Sequence, residues 1–261
     1  MMLDINKKIS VGTTFNKRIF EARRQNGSQS SNIFWEMKEK YPEVPFYAYH
    51  ENSFEKEKYN ESIDFDVDWD GLNLYDVFEV NKDWIEDFIN DSPLKDCHKI
   101  TNSEYNGHGS NNYWNRNAIY WFRKIAAIKH CIEQVDTDHL LWVGCDTMIG
   151  REFDEQLFSY IEDYDSSLII RAGQSIESDV TLFNFKKGGK AIIEYWIDMF
   201  LSQRAFKERR WDDGYILEIT RRHLDKDYSF GNLRGEWFDI YKYILHYKGT
   251  NVNLRKNKPG I

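Results

Sequence analysis

The chain has 261 residues, a formal net charge of −8, and 41 % hydrophobic and 16 % aromatic residues, so it is long and apolar enough to bury a full core. The acidic balance argues against nucleic acid as a partner, because a duplex binder usually shows a basic face, and the basic ending 251–261 is short enough to be a solvated tail. Its 3 cysteines, Cys97, Cys131 and Cys145, have no CxxC spacing and exclude a disulfide framework or structural zinc site; no stretch reaches the ~20 apolar residues of a membrane span, so a cytoplasmic protein is expected.

In chain order, KISVGTTFN (8–16) reads as a strand running into a polar turn. QNGSQSSN (25–32) is a loop, NIFWEMKEKYP (32–42) a helix stopped by Pro42, and VPFYAYHEN (44–52) a second strand. DFDVDWDG (64–71) holds the first half of a calcium loop, but Val77 stands where the closing glutamate belongs, which excludes an EF-hand. Its alternation has period two, so an extended segment with one wet face is expected there. NKDWIEDFIND (81–91) is a helix ended by Ser92 and Pro93. SEYNGHGSNN (103–112) is a polar loop. The clearest helix is 114–135, with Phe122, Ile125, Ile128, Ile132 and Val135 at spacings of three and four. The strand LLWV follows, then a helix near 154–163, strands at 166–172 and 180–185, helices at 190–204 and 212–224, and a strand-like segment at 241–250. Strand and helix alternate, so the fold class expected is α/β: a Rossmann-like mixed sheet, mostly parallel, flanked by helices. No repeat or low-complexity linker interrupts it, and a single domain over 1–261 is the simplest division.

LLWVGCDTMI (140–149) carries the chemistry. An apolar run of buried-strand length ends in Asp146, and ligands of open α/β sheets bind beyond the carboxyl ends of the strands. A carboxylate there can ligate Mn2+ or Mg2+, and the cation can hold a diphosphate. A turn cap is the plain structural alternative.

The run FRKIAAIKHCIEQVDTDHLLWVGCDTMI resembles the nucleotide-sugar-dependent glycosyltransferases of the GT-A fold. There an amphipathic helix with a basic pair precedes a hydrophobic strand ending in Asp-x-Asp-Thr. Arg123, Lys124, Trp142, Asp146 and Thr147 occupy the matching places. IESDVTLFNFKKGGKAIIEYW (176–196) is similar to the strand, small-residue turn and helix that follow. RWDDGYIL (210–217) resembles the family's Trp-x-Asp segment, and HYKG (246–249) its late His-x-x-Gly. Gly144 departs from the pattern, standing where the family has the first Asp of Asp-x-Asp.

The resemblance implies a GT-A-like glycosyltransferase that moves a sugar from a nucleoside-diphosphate sugar to a hydroxyl of a glycan or other acceptor, with residues 1–150 binding the donor and 151–250 the acceptor. It implies Asp146 and His246 as ligands of Mn2+ or Mg2+. Thr13, Thr14, Tyr49, His50, Glu51, Arg123 and Lys124 are expected at the nucleotide sugar. An inverting enzyme needs a general base near the acceptor hydroxyl; Asp213 is the first choice, with Asp212 and Asp179 behind it, although Asp is also favoured at a helix start for its own sake. Two rivals remain. A sugar nucleotidyltransferase is disfavoured by the single glycine of VGTTFNKR, and a non-catalytic glycan- or partner-binding relative is favoured by Gly144.

Overall fold

The computed structural model of the chain describes residues 8–17, 20, 33–53, 62–63, 67–91 and 118–246. Its elements are β1 (Ile9–Phe15), α1 (Ile33–Lys40), β2 (Phe46–His50), β3 (Leu72–Asp76), α2 (Val77–Val80), α3 (Lys82–Asp91), α4 (Ala118–Gln134), β4 (His139–Val143) and β5 (Thr147–Ile149). They continue with α5 (Glu155–Glu162), β6 (Ser166–Ile169), β7 (Glu177–Asn184), α6 (Gly189–Leu201), α7 (Asp213–Leu224), β8 (Phe230–Asn232) and β9 (Ile244–His246).

Seven strands form one sheet in the order β3-β2-β1-β4-β7-β6-β8. Neighbours β3, β2, β1 and β4 pair in parallel, as do β6 and β8. Only β7 runs against its neighbours, β4 and β6. The expected mixed, mostly parallel sheet flanked by helices is therefore what the chain forms. Both of its expected halves contribute strands to that one sheet. β5 and β9 pair separately as a small antiparallel ribbon.

Helices cover both faces of the sheet. Successive strand side chains point to opposite faces, and β4 shows the consequence. Leu140 and Trp142 join one buried cluster with Phe122, Ile125 and Ile128 of α4, Ile193 and Trp196 of α6 and Ile216 of α7. Leu141 and Val143 join the other, with Phe34 and Met37 of α1 and Leu157 and Ile161 of α5. A strand buried on both faces reads as a continuous apolar run, which is why LLWV stood out.

The close fit of β1 on β4 is testable. Gly12 lies opposite Trp142, and a Cβ on Gly12 would fall 2.5 Å from the Trp142 ring. That ring is fully buried and has nowhere to retreat. Gly12→Ala is expected to destabilise the protein by about 1–3 kcal/mol through overpacking, seen as a lower urea midpoint at unchanged slope.

Three details differ from the sequence reading. The extended segment expected at 64–71 gives no strand among its described residues 67–71; β3 begins just after, at Leu72. The reason is Gly71, whose N–H bonds the Pro42 carbonyl while its missing Cβ lets the Val44 carbonyl approach. The turn at Gly71 thus starts the pairing with β2. Short strands β5 and β8, of 3 residues each, are too brief to register as a period. Of the strand-like segment 241–250, the described residues 241–246 take part in a 3-10 turn at Ile240–Lys242 and in β9. The loops expected at 25–32 and 103–112 lie outside the described residues.

Candidate functional site at the carboxyl edge of the sheet

Four parallel strands end together at one edge, in Phe15, His50, Asp76 and Val143. β7 enters the sheet at the same edge, since Val143 pairs with Val180. The chain turns sharply after β4. Thr147 donates its N–H and its hydroxyl to the Gly144 carbonyl, at 3.0 and 2.7 Å. Gly144 in turn donates its N–H to the Asp179 carbonyl at 2.7 Å. This brings Gly144 and Asp179 side by side on neighbouring strands.

Asp146 is half-buried on that turn. The Asp146 carboxylate and the stem of the Asp179 side chain border the space left by the missing Gly144 side chain. A Cβ there would stand 2.9 Å from Asp146 Oδ1, 3.5 Å from Asp179 Cβ and 3.8 Å from Asp179 Cγ. The next residue, Thr147, pairs with His246 across the ribbon. The backbone of His246 is thus drawn beside the turn that carries Asp146; its side chain is outside the described set.

Lys124 anchors the other wall. Its position early in α4 follows from topology, because α4 ends just before β4 begins at the opposite edge of the sheet. Its ammonium stands 2.7 Å from Asp213 Oδ2 and 3.3 Å from Asp179 Oδ1. It also donates to the Ser178 carbonyl at 2.9 Å and to the Ser178 hydroxyl at 3.1 Å. Ser178 Oγ donates to Asp213 at 2.7 Å. Burial alone would lower the lysine pKa. The Asp213 and Asp179 carboxylates outweigh it and hold the pKa above the ordinary 10.5, so Lys124 is a permanent cation at neutral pH.

The three carboxylates expected as bases have different environments. Asp213, on the first turn of α7, is buried and engaged by Lys124 and Ser178. Asp212 caps α7, accepting from Tyr215 N at 3.2 Å, and is paired with Arg210 at 2.8 Å. Burial raises its pKa, against the pull of Arg210. Asp179 is the open one, with its side chain 39 % exposed.

The expected donor contacts divide likewise. Thr13 is fully buried at the end of β1, and its hydroxyl has no hydrogen-bond partner among the described residues. Thr14 is half-buried beside it. Tyr49 is buried in the core, hydrogen-bonded to His130 at 2.9 Å and stacked on Tyr75. His50 ends β2 with Nδ1 3.4 Å from Asp76 Oδ2 and 3.3 Å from Asn52 N; a protonated Nδ1 serves the carboxylate, an unprotonated one accepts from Asn52. Burial works to raise the Asp76 pKa, but His50, Ser53 and Phe78 donate to it and bring it below the usual range. Arg123 reaches across from α4 to pair with Glu51. The basic pair is thereby split: Arg123 closes the β2 end, Lys124 the β7 end.

A cleft of about 920 Å³ opens beside this cluster, lined by Trp121, Asp179 and Asp213 and by Arg171, Arg209 and Arg210 among others. Asp179 is the residue common to the cleft and to the pocket at Gly144. The structure thus gathers Lys124, Asp146, Asp179, Asp212 and Asp213 near one edge. Ser178 and the cleft arginines are the members that sequence reading missed. A lone Ser at the start of a strand and scattered arginines carry no spacing signal. Among the described residues no three His, Cys, Asp or Glu side chains gather closely enough to enclose a metal ion.

No family model matches the chain, and no curated protein matches it. Among solved structures, it is similar to the glycosyltransferase GlyE of Streptococcus pneumoniae TIGR4, at 16 % identity and a TM-score of 0.42, over 88 % of this chain and 46 % of that one. The chain therefore spans about half the length of GlyE. It is also similar to mouse xyloside xylosyltransferase 1 in its apo form, at 12 % identity and a TM-score of 0.47, over 87 % and 85 % of the two chains. No helix among the described residues is long and apolar enough to cross a membrane.

Proposed function

We propose that this protein is a glycosyltransferase that takes its sugar from a nucleoside-diphosphate donor and passes it to a hydroxyl of a glycan or similar acceptor. The observation that carries the reading is Asp146. It follows an interior strand, stands at the carboxyl edge of a mostly parallel sheet, and borders the space at Gly144 that is also bordered by Asp179, a residue of an open cleft. That edge is where open α/β sheets hold ligands, and the order of segments along the chain resembles GT-A enzymes.

Residue types fit a divalent cation. Asp146 offers a hard oxygen donor, and the absent Gly144 side chain leaves room at its carboxylate. With His246 drawn to the neighbouring ribbon position, the set suits Mn2+ or Mg2+. When bound, the cation would neutralise charge developing on the departing diphosphate.

The chain's own residues do the rest. Lys124 adds a fixed positive charge to the wall next to Asp179. Asp213 has its carboxylate committed to Lys124 and Ser178, so we assign it to positioning that ammonium. Trp121, at the cleft wall, offers an apolar surface to a sugar face. The arginines of the cleft give the acceptor polar, cationic contacts.

The test is a thermal-shift screen of UDP- and GDP-sugars with Mn2+. Wild type is expected to gain stability with one donor, by about 2.7 kcal/mol at a hundredfold excess over Kd, and Asp146→Ala to lose the shift. An unchanged shift in the variant removes Asp146 from the site. Binding with no slow hydrolysis of any donor would favour the non-catalytic relative, which Gly144 makes the relevant rival.

A further inference from the structure

Four arginines, Arg171, Arg209, Arg210 and Arg222, line the cleft beside Asp179, in a chain whose net charge is −8. We infer that the cleft takes an anionic acceptor, a glycan bearing a carboxylate or a phosphate, and that Arg209 and Arg222 contact the anion. The inference rests on the transferase reading and adds to it the chemical class of the acceptor.

The first support is the depth at which the charges lie. Glu177, Asp179, Asp212 and Asp213 line the same cleft, so its formal charges cancel. Glu177, Asp212 and Asp213 are buried, however, and are paired with Arg171, Arg210 and Lys124. Arg209 and Arg222 are exposed. A ligand entering the cleft therefore meets guanidinium groups, and among the lining acids only Asp179 is open to it.

The second support is the supply of unused donors. A guanidinium carries five N–H groups. Arg209 makes no hydrogen bond or ion pair with the described residues. Arg222 donates only its Nε, to Glu218 at 2.7 Å. Its side chain is 63 % exposed, against 7 % for Glu218, so the acid lies beneath and both Nη groups are left for a ligand. Arg171 is different. Its Nε and Nη2 donate to the Ser175 carbonyl at 3.2 and 3.0 Å, and its Nη1 stands 3.3 Å from Glu177. That arginine is spent on shaping the wall, which is why Arg209 and Arg222 carry the assignment.

The third support is the company the arginines keep. Trp121 and Tyr215 line the same cleft, and an aromatic ring offers an apolar face to a sugar ring. A planar guanidinium fork matches the paired oxygens of a carboxylate or a phosphate. Rings and forks together suit a charged sugar better than a bare inorganic anion. Position assigns that sugar to the acceptor. The donor is placed at the ends of β1, β2 and β4, and Phe15, His50 and Val143, which end those strands, are not among the cleft residues.

The experiment applies the labelled full-length protein, with UDP or GDP, to immobilised glycans of three kinds: neutral oligosaccharides, uronic-acid oligosaccharides and sugar phosphates. Wild type is expected to bind one anionic kind at least about tenfold more tightly than the neutral kind. Which anionic kind it prefers separates carboxylate from phosphate. The preference should fade in about 1 M NaCl, where the Debye length is about 3 Å. Arg209→Gln and Arg222→Gln should each reduce it and together abolish it. Arg209→Lys, which keeps the charge but not the fork, should fall between wild type and Arg209→Gln. Circular dichroism verifies that the variants are folded. No preference for either anionic kind, or an unchanged preference in the folded double variant, would overturn the inference. So would a double variant that loses affinity for UDP and GDP instead, because the arginines would then serve the diphosphate of the donor. Inorganic phosphate or acetate that competes as well as the bound glycan would also overturn it, by reducing the cleft to a simple anion site. The two readings fail separately. Hydrolysis of a nucleotide sugar with no anionic preference overturns this inference alone. An anionic preference with no hydrolysis of any donor overturns the transferase reading, and the acceptor role with it.

Discussion

Lys124→Met is expected to destabilise the protein by about 3–5 kcal/mol, the usual result of removing one partner from a buried ion pair. The side chains of Lys124 and Asp213 are only 12 % and 11 % exposed. Loss of the ammonium leaves the Asp213 carboxylate buried with the Ser178 hydroxyl as its remaining described donor, and leaves two acids close together. A lower urea midpoint at unchanged slope reads the loss. Adding Asp213→Asn to Lys124→Met should recover part of it, because an amide tolerates a neutral site that a carboxylate does not. The coupling between the two substitutions is expected to exceed about 1 kcal/mol. Lys124→Met within about 1 kcal/mol of wild type would show that the pair is solvated and contributes little.

The pH dependence has a definite sign. The folded pKa of Lys124 lies above the ordinary 10.5, because Asp213 and Asp179 overcome the effect of burial. Its stabilising contribution is complete below pH 10.5, where the ammonium is charged in both folded and unfolded chains. It is lost as pH rises above 10.5 through the folded value. Wild type should therefore lose stability faster than Lys124→Met on the alkaline side, and the two should run parallel at neutral pH.

Most of the fold was legible because its strands and helices differ in burial. β4 is buried on both faces and reads as an unbroken apolar run; α4 is buried on one and reads with a period near 3.6. β5 and β8 lacked enough residues to show either pattern, and the Asp alternation at 64–71 suggested an extended segment just before Gly71, whose turn starts β3 at Leu72. Of the candidate site, Asp146 was legible because an acid at the end of an apolar run is unusual. The neighbours were not. Asp213 and Asp179 are 34 residues apart in sequence and are brought together by Ser178 and by Lys124, which lies more than 50 residues before either. The local pattern marks Asp212 as a helix start, but it gives no sign that Asp179 stands open at the cleft. That difference arises when β7 inserts antiparallel beside β4 and sets Asp179 against Gly144.

Gly144→Ala separates the chemistry of that edge from its stability. The added methyl carbon would stand 2.9 Å from Asp146 Oδ1, so the carboxylate must move by a few tenths of an ångström or swing to another rotamer. It is the far end of a flexible side chain, and Gly144 is not among the glycines with positive φ in the described chain. The fold should accommodate the change within about 1 kcal/mol, as surface and near-surface substitutions usually do. Turnover should not. A rotamer swing displaces the carboxylate by about 1 Å or more, and such a displacement in a group that holds the reacting parts costs about a hundredfold in rate, so hydrolysis of the preferred nucleotide sugar is expected to fall by up to that much. Gly12→Ala supplies the opposite case, a Cβ driven into an immobile tryptophan ring, where stability falls first. If Gly144→Ala keeps full turnover, the placement of the Asp146 carboxylate does not matter to the reaction. If it unfolds the protein as Gly12→Ala is expected to weaken it, the glycine serves packing rather than the cation-binding gap.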